Sequence, residues 1–230
     1  SYGKKVSVSS SLEGYPAENI VDEDARTAWV AQSNRDMEWA QVDLQRLSSI
    51  HAIQVNFDEY GANQKGAVSG VYQSYLIYAS VNGEDWSLVV DYGTKKTDTP
   101  DYIEFEEPFK ARYIKLQNKE YMVSENFSVR DLRIFGKGQG STPRAVNDFT
   151  VERDEADPCK ARLCWEAVPD AQGYIVRYGI AGDKLYNNFQ VMGENTLEIG
   201  SLNKGVAYYF TIDAYNENGI TRTSRIKVCR

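Results

Sequence analysis

Short runs in which polar and apolar residues alternate recur along almost the whole chain. Clear cases are residues 53–57 (IQVNF), 113–116 (YIKL), 163–165 (LCW), 174–178 (YIVRY) and 208–212 (YYFTI). A period of two puts successive side chains on opposite faces of a strand, whereas a helix repeats every 3.6 residues. Turn dipeptides such as Asn82-Gly83 and Asn218-Gly219 lie between the runs. The sequence therefore predicts an all-β protein, with at most a short helical turn after Pro16.

A glycine-rich stretch that ends in proline divides the chain. Residues 136–143 (GKGQGSTP) contain three glycines before Pro143, which is the composition of a linker. A chain of 230 residues is long enough for two domains. We predict one domain at residues 1–137, a linker at 138–143 and a second domain at 144–230.

The chain is acidic, with a formal net charge of −7. Most of the excess lies in residues 1–138, which carry 21 acidic against 15 basic side chains. This balance disfavours nucleic acid as a partner and favours a cation in the first half. No run of 18 apolar residues predicts a membrane span, and no basic-then-apolar leader follows Ser1, which indicates a mature form or a fragment of a longer parent.

The three cysteines, Cys159, Cys164 and Cys229, all lie in the second half. They are too few for a disulfide scaffold and do not have zinc-site spacing. One disulfide and three reduced thiols both remain open.

The residues most suggestive of chemistry lie in residues 18–29 (ENIVDEDARTAW), which hold four carboxylates. Acid–base catalysis needs carboxylates that face each other across a cleft, whereas Asp22, Glu23 and Asp24 are consecutive and project apart. The single histidine, His51, is in phase with Ile53 and is predicted to be a partly buried strand residue. We therefore predict that this chain is not an enzyme.

The same stretch offers oxygen donors for a cation. Asn19, Asp22, Asp24 and Thr27 lie within one compact loop, and calcium takes six to eight oxygen ligands. The loop is not an EF-hand, because Arg26 occupies a ligand position and the required glycine and terminal glutamate are missing. The alternative is a solvated turn in which Asp22 or Asp24 caps backbone amides.

Five motifs in order resemble those of discoidin domains, also called coagulation-factor C-type domains. They are residues 16–29 (PAENIVDEDARTAW), 39–44 (WAQVDL), 80–86 (SVNGEDW), 111–116 (ARYIKL) and 130–136 (RDLRIFG). The resemblance covers residues 1–137 and implies a jelly-roll β-sandwich. At these positions it favours core packing or loop anchoring for Trp29, Trp39 and Trp86, and sugar stacking is the alternative role.

Bacterial relatives of these domains, including family 32 carbohydrate-binding modules, hold a structural calcium ion in the first loop. The resemblance implies as ligands Asn19, Asp22, Asp24, Thr27 and Asp131. Two positions depart from the family pattern. Glu23 replaces a glycine where the backbone is expected to need a positive φ, and Asp131 stands where the family often has the longer glutamate.

The resemblance also implies that ligand loops cluster at one end of the sandwich. Three polar segments with aromatic residues fit that description, at residues 32–37, 58–72 and 118–127. The candidate sugar contacts in them are Arg35, Tyr60, Asn63, Tyr121 and Asn126.

Residues 144–230 resemble a fibronectin type III domain, a second β-sandwich. A single tryptophan, Trp165, lies in the second predicted strand, and Leu202 precedes Tyr208 by six residues, as in the tyrosine corner of that fold. If the second half has this fold, Cys159 and Cys229 lie at the same end of it and are close enough to pair.

The combination of the two domains resembles the C-terminal region of secreted Bacteroides-type glycoside hydrolases, such as those of family 43. It implies a non-catalytic accessory region whose first domain binds a plant or host glycan, beside a catalytic domain in the parent enzyme. The expected location is secreted, periplasmic or on the bacterial cell surface. The alternatives are purely structural packing modules without a ligand site, and an adhesion module.

Overall fold

The computed structural model describes residues 1–62 and 70–230. They divide into two compact units, Ser1–Gly138 and Gln139–Arg230. The regular structure is almost entirely strand, and a 3₁₀ turn at Ala17–Val21 follows Pro16. The all-β prediction is therefore confirmed. Within the described ranges, no helix is long and apolar enough to cross a membrane.

Unit 1 contains seven strands joined in one hydrogen-bonded sheet. In chain order they are β1 (Lys5–Val8), β2 (Trp29–Val30), β3 (Trp39–Phe57), β4 (Gln73–Ser80), β5 (Ser87–Thr97), β6 (Asp101–Tyr121) and β7 (Ser128–Gly138). The spatial order is β2-β7-β3-β6-β4-β5, with β1 added beside β3.

The long strands β3 and β6 bend this sheet into a sandwich. The first part of β3 pairs with β1 and the second part pairs with β7, and the register with β6 shifts between Asp43 and Ser48. Asp43 fixes this corner, since its carboxylate accepts two hydrogen bonds from Arg112, each 2.9 Å, and one from the backbone N–H of Gln45 at 2.7 Å. Gln45 adopts φ +67°, which a residue with a side chain rarely does without such support.

The core of unit 1 is one cluster of buried residues between the two layers. The inward positions of the strands alternate with exposed ones, as the period of two requires, and aromatic rings fill the centre. Trp29 is fully buried and contacts Phe127 edge-to-face, with ring centroids 5.7 Å apart. The indole N–H of Trp29 donates to the carbonyl of Ser10 at 3.0 Å.

Unit 2 contains eight strands in two sheets. They are β8 (Phe149–Arg153), β9 (Ala161–Trp165), β10 (Gly173–Gly179), β11 (Asn187–Met192), β12 (Thr196–Ile199), β13 (Tyr208–Asn216), β14 (Gly219–Thr221) and β15 (Lys227–Cys229). One sheet has the order β12-β9-β8, and the other has the order β11-β10-β13-β14 with β15 also beside β13. A separate cluster of buried residues forms the core of this unit.

Two details differ from the expectations drawn from sequence. His51 is exposed rather than partly buried, because the register of β3 shifts between Ile50 and Ala52 and reverses the alternation there. Cys159, Cys164 and Cys229 are all free thiols, so the pairing of Cys159 with Cys229 is not formed.

A polar network lies inside the first unit, between β4, β5 and β6. The hydroxyl of the fully buried Tyr75 donates to the Asp101 carboxylate at 2.7 Å, and the Lys95 ammonium donates to the other carboxylate oxygen at 2.9 Å. Burial and the hydrogen bond to Asp101 raise the pKa of Tyr75. The Asp101 carboxylate is thus the acceptor on which the buried hydroxyl depends.

Replacing Asp101 should therefore destabilise unit 1. In the variant Asp101→Ala the Tyr75 hydroxyl loses its acceptor in the core, and we expect a loss of about 1–3 kcal/mol in the free energy of unfolding. Urea unfolding followed by tryptophan fluorescence measures this loss. The matched control is Asp98→Ala, at an exposed position just before β6, and an equal loss in both variants would contradict the assignment.

Candidate functional site

Three loop segments meet at one end of unit 1. The side-chain amide of Asn118 is fully buried and donates to the backbone carbonyls of Asn34 at 2.8 Å and Arg35 at 3.0 Å. In return, the Asn34 side chain donates to the carbonyl of Ser124 at 2.8 Å. The segment before β3 and the segment after β6 are therefore held against each other.

The segment between β3 and β4 joins the same surface. The hydroxyl of Tyr121 donates to the carbonyl of Asp58, and the carboxylate of Asp58 forms an ion pair with Arg130. On the other side of the loop, the backbone N–H of Met122 donates to the carbonyl of Tyr72 at 3.1 Å. We call the surface formed by residues 32–37, 58–62, 70–72 and 118–127 the loop end.

Two of the predicted sugar contacts are accessible at the loop end. Arg35 is exposed, and Tyr60 is partly exposed. The Tyr60 ring rests edge-to-face on Tyr15, with centroids 4.9 Å apart. An aromatic ring held in this way offers part of its face to a ligand without further ordering.

Of the other three predicted contacts, one is a core residue, one holds the loop, and one lies outside the described residues. Tyr121 is only 2 % exposed and packs against Phe127 at 5.4 Å, so it is a core residue and its ring cannot reach an external sugar. Asn126 uses its side chain to hold the loop, donating to the carbonyl of Ala31 at 2.8 Å. Asn63 lies outside the described residues.

The structure brings other side chains to the loop end that the sequence did not single out. Tyr15 arrives there from the segment after β1. Met37 is 66 % exposed and adopts φ +81°, and Met122 is 46 % exposed. Only tertiary contacts place these residues together, since nothing in their spacing along the chain indicates it.

The acidic loop after the 3₁₀ turn is closed by its own hydrogen bonds. One oxygen of Asp22 accepts from the backbone N–H of Asp24 at 2.8 Å, and the other accepts from the Thr27 hydroxyl at 2.7 Å. Both oxygens of Asp24 accept from the Arg26 guanidinium, at 2.9 and 2.7 Å. Asn19 donates to the carbonyl of Ala28 at 2.8 Å. These contacts give the loop the form of a capped acidic turn.

Asp131 lies in β7 with only 2 % of its surface exposed. Its carboxylate accepts from the Asn56 side chain at 3.0 Å, and Arg133 lies 3.4 Å from Asp131 and 3.0 Å from the Glu23 carboxylate. Glu23 adopts φ +61°, which confirms the expectation of a positive φ at this position. The ion pair with Arg133 holds the Glu23 side chain at this strained backbone position.

The oxygen atoms of this region fit a calcium site only in part. Among residues 1–62 and 70–230, no three His, Cys, Asp or Glu side chains lie together as a metal site, so carbonyl and hydroxyl oxygens would have to supply most ligands. The Asn56 side-chain oxygen, on the residue that binds Asp131, is buried without a hydrogen-bond partner in the described structure. Buried acceptors of this kind normally find a partner.

Comparison with known proteins defines the class of this fold and surface. Residues 5–131 match the F5/8 type C domain family, and the chain belongs to that family. Lactadherin of Rattus norvegicus is 33 % identical over 110 residues, or 44 % of this chain and 25 % of that protein. Lactadherin of Mus musculus is 32 % identical and is covered over 23 % of its length. The chain thus spans about a quarter of the length of these curated relatives.

Solved structures with the same fold include carbohydrate-binding modules. The chitosan-binding module 2 of a chitosanase/glucanase from Paenibacillus sp. IK-5, in complex with chitotriose, has a TM-score of 0.50 at 20 % identity, covering 59 % of this chain and 98 % of that chain. The family 32 module of C. perfringens NanJ, in complex with galactose, has a TM-score of 0.45 at 20 % identity, covering 56 % and 91 %. The first unit shares its fold with the chitosan-binding module.

The ion pair between Asp24 and Arg26 predicts a lowered pKa for the Asp24 carboxyl, which can be measured. Hydrogen bonds from the Arg26 side chain and then its backbone lower the pKa of Asp24 from 3.8 to about 2. Because the pKa is lowered on folding, the contribution of the pair is present above the usual carboxyl pKa and is lost as the pH falls through about 2. A carbon NMR titration of the Asp24 carboxyl should give this midpoint.

The variant Arg26→Ala should return the midpoint towards 3.8, because the largest cause of the shift is removed. Arg162→Ala, at an exposed position in unit 2, is the control and should leave it unchanged. A wild-type midpoint near 3.8 would show that the pair does not form in solution.

Proposed function

We propose that this chain is a non-catalytic accessory region of a secreted bacterial glycoside hydrolase, and that the loop end of its first unit binds carbohydrate. The observation that carries the proposal is the joining of three loop segments into one surface that exposes Arg35 and part of the Tyr60 ring. Membership of the F5/8 type C family and the chitotriose bound to a module of the same fold support it.

The chemistry of the loop end suits a sugar. Saccharide sites combine an aromatic face with a few fixed polar groups, and Tyr60 and Arg35 supply one of each. The Arg35 guanidinium has five N–H donors for hydroxyl groups. Since Asn118 holds the carbonyls of Asn34 and Arg35 from beneath, the loop is ordered before any ligand arrives, which lowers the entropic cost of binding.

Binding at the loop end would serve a catalytic domain by tethering. A module that holds a polymer raises the local concentration of the substrate around a linked active site without any new catalytic contact. The carboxylates of the first unit fit this passive role, because Asp22, Asp24 and Asp131 all hold loop or strand partners. The plant or host glycan and the parent hydrolase are parts of this proposal.

We further propose that unit 2 is a fibronectin type III domain that acts as a spacer. Its two sheets, of three and five strands, suit that sandwich. The Tyr208 hydroxyl accepts from the backbone N–H of Asn203 at 3.2 Å, beside the buried Leu202. This contact supports the proposal that Tyr208 forms a tyrosine corner.

Calcium in the first loop is a separate proposal. The residues that would hold it are Asn19, Asp22, Asp24, Thr27 and Asp131. The Arg26 side chain, which is hydrogen-bonded to Asp24, is 88 % exposed and can move into solvent. The Asn56 side-chain oxygen, which has no hydrogen-bond partner in the described structure, offers a further oxygen ligand near Asp131. The ion would fix the loop and would not act on a substrate.

One observation favours adhesion as a second candidate function. Met37 and Met122 project from different segments of the loop end, and exposed apolar side chains in a polar surround are typical of docking surfaces. Binding to an anionic membrane would need several unpaired basic side chains around these methionines. Lys119 nearby is already paired with Asp36 at 2.9 Å. Carbohydrate binding therefore remains the leading function.

A polysaccharide and oligosaccharide panel tests the leading function. We expect saturable binding to one glycan class, and we expect Tyr60→Ala and Arg35→Ala each to weaken it at least about tenfold, the effect of losing roughly 1.4 kcal/mol of contact. The control for Tyr60 is Tyr186→Ala in unit 2, where the ring is highly exposed. Binding that survives both loop-end variants would overturn this site.

Absence of binding to every glycan, together with adsorption to vesicles that requires Met37 and Met122, would instead support adhesion. Absence of both activities would favour the purely structural alternative. In each case the fold is checked by circular dichroism before binding is interpreted.

Thermal unfolding with calcium and then with chelator tests the cation. A ligand at about 100 times its dissociation constant stabilises the folded state by about 2.7 kcal/mol, so calcium should raise the melting temperature of unit 1. Asp22→Asn should abolish that calcium-dependent rise, whereas the exposed Asp85→Asn should preserve it. A melting temperature that does not respond to calcium contradicts the proposal and leaves the capped turn as the correct description.

A further inference from the structure

The solvent-facing side of β6 carries a second group of aromatic and amide side chains. Ile114 and Leu116 are buried, so the intervening residues of the strand, Tyr113, Lys115 and Gln117, point outward. Pairing places Gln41 of β3 and Tyr78 of β4 directly beside Lys115. We call the surface formed by Gln41, Tyr78, Trp86, Tyr113, Lys115 and Gln117 the sheet face.

Lys115 is the centre of the sheet face. Its ammonium group lies 4.2 Å from the ring centroid of Trp86 and 5.3 Å from that of Tyr78. Trp86 in turn contacts Tyr113, with centroids 6.5 Å apart. Cation–π contacts of this kind hold an ammonium group in a fixed place.

This cation has no acidic partner. In the part of the chain that the structure describes, no carboxylate lies within ion-pair distance of Lys115, and its immediate neighbours on the sheet face are aromatic rings and amides. Burial lowers the pKa of Lys115, which is the mark of an ammonium group partly removed from water without compensation.

Two carboxylates close to the sheet face have partners of their own. Asp43, in the next row of outward positions, accepts from two nitrogens of Arg112, Nε and Nη2, and Lys5 lies opposite it on β1. Asp91, at the edge beside Leu76, accepts from the backbone N–H of Gly93 at 3.0 Å. Lys115 is therefore the only charged side chain among the six residues of the sheet face.

We propose that the sheet face binds an acidic sugar, a hexuronate unit within a glycan, as a second carbohydrate site separate from the loop end. The carboxylate would take Lys115 as its counter-ion, the sugar ring would lie against the exposed part of Trp86 and Tyr78, and the amides of Gln41 and Gln117 would bond hydroxyl groups. The inference rests on the proposed function only in taking the ligand to be a glycan.

The position of the sheet face relative to the loop end is consistent with one polymer reaching both. Lys115 precedes Asn118 by three residues on β6, which is about 10 Å along a strand. An acidic polysaccharide held at the loop end could therefore extend onto the sheet face. Such an arrangement would add avidity through linked contacts.

The test uses the full chain and α-1,4-linked trigalacturonate, measured by calorimetry and by the NMR shift of the Trp86 indole. The matched ligand is the fully methyl-esterified trisaccharide, which keeps the rings and removes the charges. We expect trigalacturonate to shift the Trp86 signal and the ester to bind at least tenfold more weakly.

Lys115→Met keeps an apolar stem over Trp86 and removes the charge, and it should weaken trigalacturonate binding at least tenfold. Lys115→Arg should restore binding to within about threefold. The control Lys110→Met removes an exposed lysine of the same strand that belongs to neither surface, and it should have no effect on the Trp86 shift.

Three results would overturn the inference. They are no binding of trigalacturonate at millimolar concentration, binding that Lys115→Met leaves unchanged, and loss of the Trp86 shift in Tyr60→Ala while Lys115→Met retains it. The last result would assign the acidic sugar to the loop end and leave the proposed function intact. Neutral glycans bound through Tyr60 and Arg35 would likewise preserve that function if the sheet face proved empty.

Discussion

The Asp43 carboxylate holds the corner on which the first unit depends. Its bonds to Arg112 and to the N–H of Gln45 fix the place where β3 leaves one layer of the sandwich and enters the other. β3 pairs with β1 before this corner and with β7 after it, and the segments at its two ends meet at the loop end. The loops that precede and follow β3 are brought together there, and the last part of β6 joins them. The hydrogen bonds from the Arg112 side chain lower the pKa of Asp43, which keeps the carboxylate charged as this clamp requires.

Five buried or half-buried carboxylates of the first unit hold neighbouring groups of that unit in place. Asp22 and Asp24 close a turn, Asp58 and Asp131 secure strand ends, and Asp101 satisfies a buried hydroxyl. A catalytic carboxylate needs a free oxygen aimed at a substrate, whereas each of these groups accepts from a neighbour within its own unit. In the proposed sites, recognition falls to aromatic rings, amides and those cations that have no acidic partner among the described residues. Lys115 is the clearest of these, and its setting differs from that of Lys119, which is only four residues away but is paired with Asp36.

The sequence was sufficient for the parts of the fold that depend on local pattern. Alternation predicted the all-β class, and the glycine expected at position 23 predicted a positive φ that Glu23 in fact adopts. It failed where a register shift or a tertiary contact decides the outcome. His51 is exposed because of a shift within β3, and Tyr121 is buried although it lies in a polar segment. A shift of one residue in strand register exchanges the residues on the buried and exposed faces of the strand. Nothing in a single sequence marks the position of such a shift. In the same way, the contact of the Lys115 ammonium with the Trp86 ring depends on tertiary structure and could not be predicted from the sequence.

The way the loop end is held together has a consequence for how such a surface changes over time. Asn118 binds the carbonyl groups of residues 34 and 35, and Asn126 binds the carbonyl of residue 31. These bonds reach main-chain atoms, which every amino acid possesses, so they are indifferent to the side chains displayed outward. Substitutions at Arg35, Met37 or Met122 can therefore alter what the surface touches while the frame beneath keeps its shape. Descendants of one such gene could exchange one target for another by a few point changes at the tips, without first passing through an unstable intermediate.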